Sequence, residues 1–174
     1  YCYFFNKKDQ SYQSHPPYIS RETISNVASF INEGVKDCEF ENVGIVFHGG
    51  EPLMHNLDTL TAALQSAGLK TNIETSGAHS LSGSWDWICL SPKKFKAPLE
   101  EVVPFANELK VVVFNSSDFG WAEKYAAMVS DNCKLYLQPE WDKAAQITPQ
   151  IIEYIKANPK WELSLQLHKY INVP

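Results

Sequence analysis

The chain lacks a Cys-x-x-Cys pair, a long block of one charge sign, and an apolar run long enough to cross a bilayer. Each absence narrows the field. The four cysteines, Cys2, Cys38, Cys89 and Cys133, give no zinc site by spacing. Lys and Glu are mixed along the chain and the formal net charge is −5, so bulk charge supports neither nucleic-acid nor membrane binding. The start of the chain does not read as a signal peptide, so a reducing cytoplasm with free thiols is the expected setting. Period-two alternation and hairpin turns are scarce, which counts against an antiparallel sandwich. Internal repeats and low-complexity segments are also missing.

What is present is a hydrophobic content of 44% over 174 residues, enough for a core and consistent with a single domain over 1–174. After a polar stretch ending in Pro16-Pro17, Ser20 predicts a helix N-cap, with Ile24, Val27, Ala28 and Ile31 at helical spacing and Gly34 as a stop. A short apolar strand, Val43 to Phe47, follows. Leu57, Leu60 and Leu64 predict a helix closed by Gly68, and Thr71-Asn72-Ile73 a strand. Strands are expected again over Asp86–Leu90, Leu109–Phe114, Lys134–Leu137 and Leu163–Leu167. Helices are expected after Asp118, as cap, and from Thr148-Pro149, at N-cap and N1. The connection from Ser76 to Asp86 is too short for a full helix. Short, unalternating strands that alternate with helices predict a parallel α/β sheet buried on both faces.

The ends of these strands carry His48 to Glu51, Glu74 to Gly77, Ser91 with Lys93, Asn115, Gln138 with Glu140, and His168. Ligand sites in parallel α/β folds lie at the C-terminal strand ends, so these residues form the candidate site. Within it, His48-Gly49-Gly50-Glu51-Pro52 is the sharpest signal. Two glycines let the backbone approach a ligand, and the Glu51 carboxylate suits an ammonium group with a carboxylate nearby, as at an amino-acid end. Cys89 lies in the apolar run Trp87-Ile88-Cys89-Leu90 and reads as a buried small hydrophobe; Cys38 and Cys133 read as structural or incidental.

Cys2-Tyr3 together with Gly49 to Pro52 resembles the radical S-adenosylmethionine superfamily. That superfamily holds a 4Fe-4S cluster with Cys-x3-Cys-x2-Cys after the first barrel strand. Its last cysteine is commonly followed by an aromatic residue, and Gly-Gly-Glu-Pro follows on the second strand. The resemblance implies a partial parallel (β/α) barrel whose first strand and first two cluster cysteines would precede Tyr1, leaving Cys2 as the metal ligand in this chain. Residues 1–51, with Cys2-Tyr3-Phe4-Phe5-Asn6, resemble peptide-modifying radical enzymes of the sulfatase-maturating type. Residues from about 52 to 174 resemble the 7-carboxy-7-deazaguanine synthase family of the queuosine pathway. That likeness rests on Asn72 to Gly77, Ser91-Pro92-Lys93, Leu137 to Trp141, and the closing run Gln166 to Pro174.

The synthase resemblance implies a role for each strand end. Gly49, Gly50 and Glu51 would bind the methionine end of S-adenosylmethionine. Ser91 and Lys93 would hold its ribose and carboxylate, and Gln138 would face the same cofactor. Glu74, His168 and the terminal carboxylate of Pro174 would contact a pterin-like substrate. His48 stands where the family usually has a substrate-contacting Thr. The implied reaction is ring contraction of a carboxy-tetrahydropterin to 7-carboxy-7-deazaguanine with loss of ammonia. Flavodoxin or ferredoxin is the implied electron donor, and a homodimer the implied assembly. Magnesium is a further implied cofactor, although Tyr3, following Cys2, offers it no ligand. Two alternatives stand beside this reading: a peptide-modifying radical enzyme, and a cluster-less binding remnant with no catalysis.

Overall fold

A computed structural model describes residues 21–37, 43–47 and 51–171. The expectations placed on Cys2, Tyr3, Ser20, Cys38, His48, Gly49, Gly50 and Pro174 lie outside the described residues, as does the side chain of His168. The chain divides into two compact units, Tyr1–Thr75 with Leu81–Trp87, and Ser76–Ser80 with Ile88–Pro174.

In the first unit, helix α1 (Arg21–Asp37) precedes strand β1 (Gly44–Phe47), a 3-10 turn (Pro52–Met54), helix α2 (Asp58–Ser66) and strand β2 (Lys70–Thr75). Strands β1 and β2 are parallel, with Gly44 opposite Lys70 and Phe47 opposite Ile73. A β-α-β path is what joins two parallel neighbours. Leu64 and Leu69 are buried at its centre, with Ile31, Val43, Ile45, Phe47 and Leu60 packed around them. Gly68, at φ +79, ends α2 as expected. Gly34 does not end α1, which continues to Asp37; one glycine inside a helix costs only about 1 kcal/mol.

Residues 81–87 form no helix, as the short connection predicts, and are tied back to β2 and α2. Asp86 Oδ2 accepts from the Thr71 N–H at 2.8 Å, and the Thr71 hydroxyl donates to the Ser84 carbonyl at 2.8 Å. The Thr61 hydroxyl accepts from the Ser84 N–H at 2.9 Å. The Trp85 ring meets Phe47 edge-on at 5.3 Å.

The second unit contains strands β3 (Trp87–Leu90, from Ile88 on), β4 (Glu108–Val113), β5 (Lys134–Pro139) and β6 (Trp161–Leu163). All three neighbouring pairs are parallel. Helix α3 (Asp118–Ala126) connects β4 to β5, and α4 (Ala144–Ala157) connects β5 to β6. Leu109, Val111, Val113, Leu137, Ala122, Tyr125, Ile147, Ile151 and Trp161 form the core. Asp118, Ala122 and Tyr125 recur at helical spacing on one buried face of α3, as Ile147 and Ile151 do on α4. A Cβ at Gly77, whose φ is +72, would stand 2.6 Å from Leu90 Cδ1 and 2.8 Å from Pro98 Cβ.

The parallel α/β class agrees with the sequence reading, but three details differ. First, not every strand is buried on both faces: β3 is from Ile88 to Leu90, but β2 and β4 are not. Burial alternates along β2 and β4, where Thr71, Ile73, Thr75, Leu109, Val111 and Val113 are buried while Asn72, Glu74 and Lys110 are only half-covered. Apolar content alone does not report which face a helix covers. Second, Thr148-Pro149 does not begin a helix; α4 starts at Ala144 and holds Pro149 within it. Glu140 caps the 3-10 turn Trp141–Lys143 that feeds into α4, and Ile147 is buried one turn before Ile151, so the earlier start is anchored. Third, β6 is Trp161–Leu163, and Leu167 opens a short helix α5 (Leu167–Tyr170). His168 is therefore on a helical turn, not at a strand end.

Candidate functional site

In the first unit the candidate groups follow β1 and close β2. Glu51 sits directly before the 3-10 turn and acts as its N-cap, accepting the Leu53 N–H on Oε1 at 3.3 Å. The same oxygen accepts the Thr75 hydroxyl at 2.6 Å. Thr75 is the last residue of β2 and is buried. Glu74 lies within β2 too, one residue earlier than its expected place beyond the strand, on the half-buried face opposite Thr75. The structure thus brings Glu51 to the end of β2, through Thr75, a residue within the expected Glu74–Gly77 strand end to which the sequence reading gave no role.

In the second unit the candidate groups follow β3 and close β5. Ser91 is buried immediately after β3. The Lys93 ammonium donates to the Ser91 hydroxyl at 2.9 Å, so these two expected partners are in contact. The next residue, Lys94, pairs with Asp118, whose side chain is 4% exposed. Asp118 Oδ2 also accepts the Phe114 N–H at 2.6 Å and the Asn115 N–H at 3.0 Å, just beyond β4. Burial pushes the Asp118 carboxyl up, but Lys94 and the two N–H groups outweigh it and hold it below its ordinary value. Lys96 contacts His79 Nε2 at 3.1 Å. Lys93, Lys94, Phe95, Phe114, Asn115 and Asp118 line a cleft of about 300 Å³.

Gln138 is buried within β5, and its Oε1 receives the Ser164 hydroxyl at the long distance of 3.5 Å. Beyond it, Glu140 Oε2 accepts the Lys143 N–H at 3.1 Å. Tyr170 of α5 meets Trp141 edge-on at 5.2 Å, with the Lys169 ammonium 5.1 Å from the same ring. This contact fixes the helical turn that carries His168 to the residues following β5. A larger groove of about 720 Å³ runs along α4 beside Trp141 and Tyr170. Among the described residues its ionisable lining groups are Glu153 and Tyr170, and Glu153 pairs with Lys156, so they offer less chemistry than those of the smaller cleft.

Among the described residues, no three His, Cys, Asp or Glu side chains gather into a metal-binding group. Cys89 and Cys133 are buried and unbridged. Burial pushes the Cys133 thiol up to about 11, which disfavours the thiolate a metal needs. Burial of Cys89 is what its place in the apolar run predicts. No described helix is long and apolar enough to cross a membrane.

Asp118 is the group that the sequence reading misdirected, and Thr75 is one it placed in the candidate range without a role. Asp118 reads as a helix cap, yet its carboxylate faces back to the β4 end. Its place in the Glu74–Gly77 strand end marks Thr75, but its role has no signal beyond a hydroxyl at a buried strand position, where Val would serve.

No family model matches the chain. The chain is similar to the 7-carboxy-7-deazaguanine synthase of Flavobacterium psychrophilum, at 44% identity over 92% of this chain and 71% of the relative. It is 48% identical to the Synechocystis synthase of the same name over 74% of this chain and 62% of that protein. The first match is too long to be confined to residues 52–174, so the likeness extends into the first 51 residues. The crystal structure of QueE from Escherichia coli superposes with a TM-score of 0.64 at 29% identity, covering 80% of this chain and 63% of that one.

Proposed function

The chain belongs to the 7-carboxy-7-deazaguanine synthase family, and from that premise we propose that residues 1–174 carry radical S-adenosylmethionine chemistry on a carboxy-tetrahydropterin. The reaction is ring contraction to 7-carboxy-7-deazaguanine with release of ammonia. The kinship with the synthases carries this reading, and the polar strand ends support it.

The residues present fit S-adenosylmethionine. Lys93 and Ser91 offer an ammonium and a hydroxyl side by side, donors suited to a carboxylate and a ribose. Glu51 offers a held carboxylate for an amino group, with the Gly49 and Gly50 backbone beside it in sequence. Gln138 adds an amide at the end of β5. When bound, the cofactor supplies hydrogen-atom abstraction at a substrate carbon. The protein's share is to bind both ligands, orient them and keep water away from the reacting carbon. Glu74 accepts N–H groups of the pterin ring, and His168 and Pro174 act on the same ligand; His48 is a further substrate contact.

The 4Fe-4S cluster has no ligand set among the described residues, and Cys2 is its proposed ligand in this chain. Magnesium is carried over from the family alone. Flavodoxin or ferredoxin as electron donor, a homodimer and a cytoplasmic setting complete the proposal.

The test is turnover by the intact protein under anaerobic conditions with carboxy-tetrahydropterin, a low-potential donor and S-adenosylmethionine, read by mass spectrometry. Formation of 7-carboxy-7-deazaguanine is expected. Glu74→Gln lowers kcat/KM by about tenfold, as loss of a charged hydrogen-bond acceptor does. An intact protein that cleaves S-adenosylmethionine but leaves the pterin unchanged overturns the assignment.

A further inference from the structure

The alternation of β2 places Thr71, Ile73 and Thr75 on one buried face. Thr71 spends its hydroxyl on the segment before β3. Thr75 spends its hydroxyl on Glu51, at 2.6 Å. A buried hydroxyl is costly unless it is bonded, and Val would fill the same space with a better strand preference. The hydroxyl at position 75 is therefore explained by its acceptor.

Two donors from the described residues meet on one oxygen of that acceptor. Glu51 Oε1 receives the Thr75 hydroxyl from β2 and the Leu53 N–H from the chain leaving β1. A hydroxyl donating to a carboxylate at this distance makes a short, charge-assisted bond. Two donors from different directions fix the torsions of a glutamate side chain that would otherwise sample many rotamers. A carboxylate has about four lone-pair positions, so it can accept these donors and an ammonium together.

We propose that Thr75 is a positioning residue that sets the Glu51 carboxylate to receive the ammonium group of S-adenosylmethionine. This rests on the functional reading above. Holding the carboxylate before the ligand arrives removes an ordering cost from binding. The effect belongs to the amino-acid end of the ligand and not to its nucleoside.

Two probes separate those ends: S-adenosylhomocysteine carries the amino-acid end, and methylthioadenosine lacks it. Calorimetric titration of the intact, cluster-loaded protein reads both. Thr75→Val is expected to weaken S-adenosylhomocysteine binding about tenfold, the loss of one charged hydrogen bond. Methylthioadenosine binding stays unchanged, and Thr75→Ser stays within about twofold for both probes because it keeps the donor. In a Glu51→Gln background, Thr75→Val adds little further loss. Where Thr75→Val does not fold, Thr75→Cys is read the same way, since a thiol is a weak donor.

Equal binding of S-adenosylhomocysteine by Thr75→Val and the unsubstituted protein overturns the proposal and leaves the functional reading intact. Equal weakening of both probes also overturns it, because the bond then only holds the strand ends together. An unsubstituted protein that binds neither probe overturns the functional reading, and this proposal with it.

Discussion

Helix α3 carries two carboxylates that gather partners in different ways. Asp118, at its start, accepts two backbone N–H groups beyond the C-terminal end of β4 and pairs with Lys94. Glu123, further along, accepts three side chains near the N-terminal end of β6: the Tyr154 hydroxyl at 2.7 Å, the Trp161 indole at 2.8 Å and the Lys160 ammonium at 2.6 Å. Stacking of the Phe119 and Tyr154 rings at 4.2 Å holds α3 and α4 together beside this second cluster. Within this second unit, the candidate groups Ser91, Lys93 and Gln138 lie at or just beyond the C-terminal strand ends, as Asp118 does. There two backbone N–H groups and the Lys94 ammonium hold the chain to a single carboxylate. At the opposite strand ends the side chains themselves make the clamp, the division expected when binding occupies one end of a parallel sheet and stability the other.

The substitution that would strain this comparison most is Asp118→Ala. It leaves two N–H groups and Lys94 without their acceptor, and a loss of about 3 kcal/mol in urea unfolding is expected. S-adenosylhomocysteine binding should fall with it, because the Ser91–Lys93 loop is anchored through Lys94. Unchanged binding would mean that the anchor at Asp118 serves stability alone, and the contrast with Glu123 would collapse. Glu123→Ala should cost less, about 2 kcal/mol, because the Glu123 side chain is itself nearer solvent, 35% exposed against 4% for Asp118. It should leave binding of the same probe unaltered; weaker binding would show that the clamp reaches the site.

The smallest effect is on pH dependence. For Glu123, burial raises the carboxyl, but Lys160, Trp161 and Tyr154 together hold it below its ordinary value of 4.5. Asp118 lies below its ordinary value of 3.8 by the balance already described. A carboxyl lowered in the folded state contributes stability that is fully present above its ordinary value and drains away as pH falls through the folded one. Unfolding free energy should therefore decline with acid from near pH 4.5. Glu123→Gln should delay that decline toward the Asp118 range, which denaturant titrations at stepped pH would reveal. An unaltered acid limb would remove Glu123 from the comparison.

The two clusters also mark how far the sequence can be read. The strand Val111–Val113 and the helix carrying Ala122 and Tyr125 declare themselves by periodicity, since each contact they make is with the core in general. Ser91 and Lys93 are legible as polar groups directly after an apolar strand. Asp118 is not legible, because the same side chain can cap the helix ahead or the strand end behind, and only the folded path decides. Thr75 is legible as part of the Glu74–Gly77 strand end, but its role is hidden by its own suitability for a strand. Pro149 misleads because a proline suits the first turn of a helix, while here the helix tolerates it further in. The last strand was overextended because Ser164-Leu165-Gln166-Leu167 has strand-like apolar spacing, although the ladder stops at Leu163.

The tight turn at Gly77 has a use outside the molecule. No other residue type could stand there without displacing Leu90 or Pro98 and forcing a disfavoured backbone. Any alignment of a distant relative that keeps this turn must therefore put glycine opposite position 77. A register shift of a single column on either side is rejected on steric grounds, before any score is consulted. Position 77 is thus a fixed point from which the neighbouring Glu74 and Ser91 columns can be counted in sequences too divergent to match by eye.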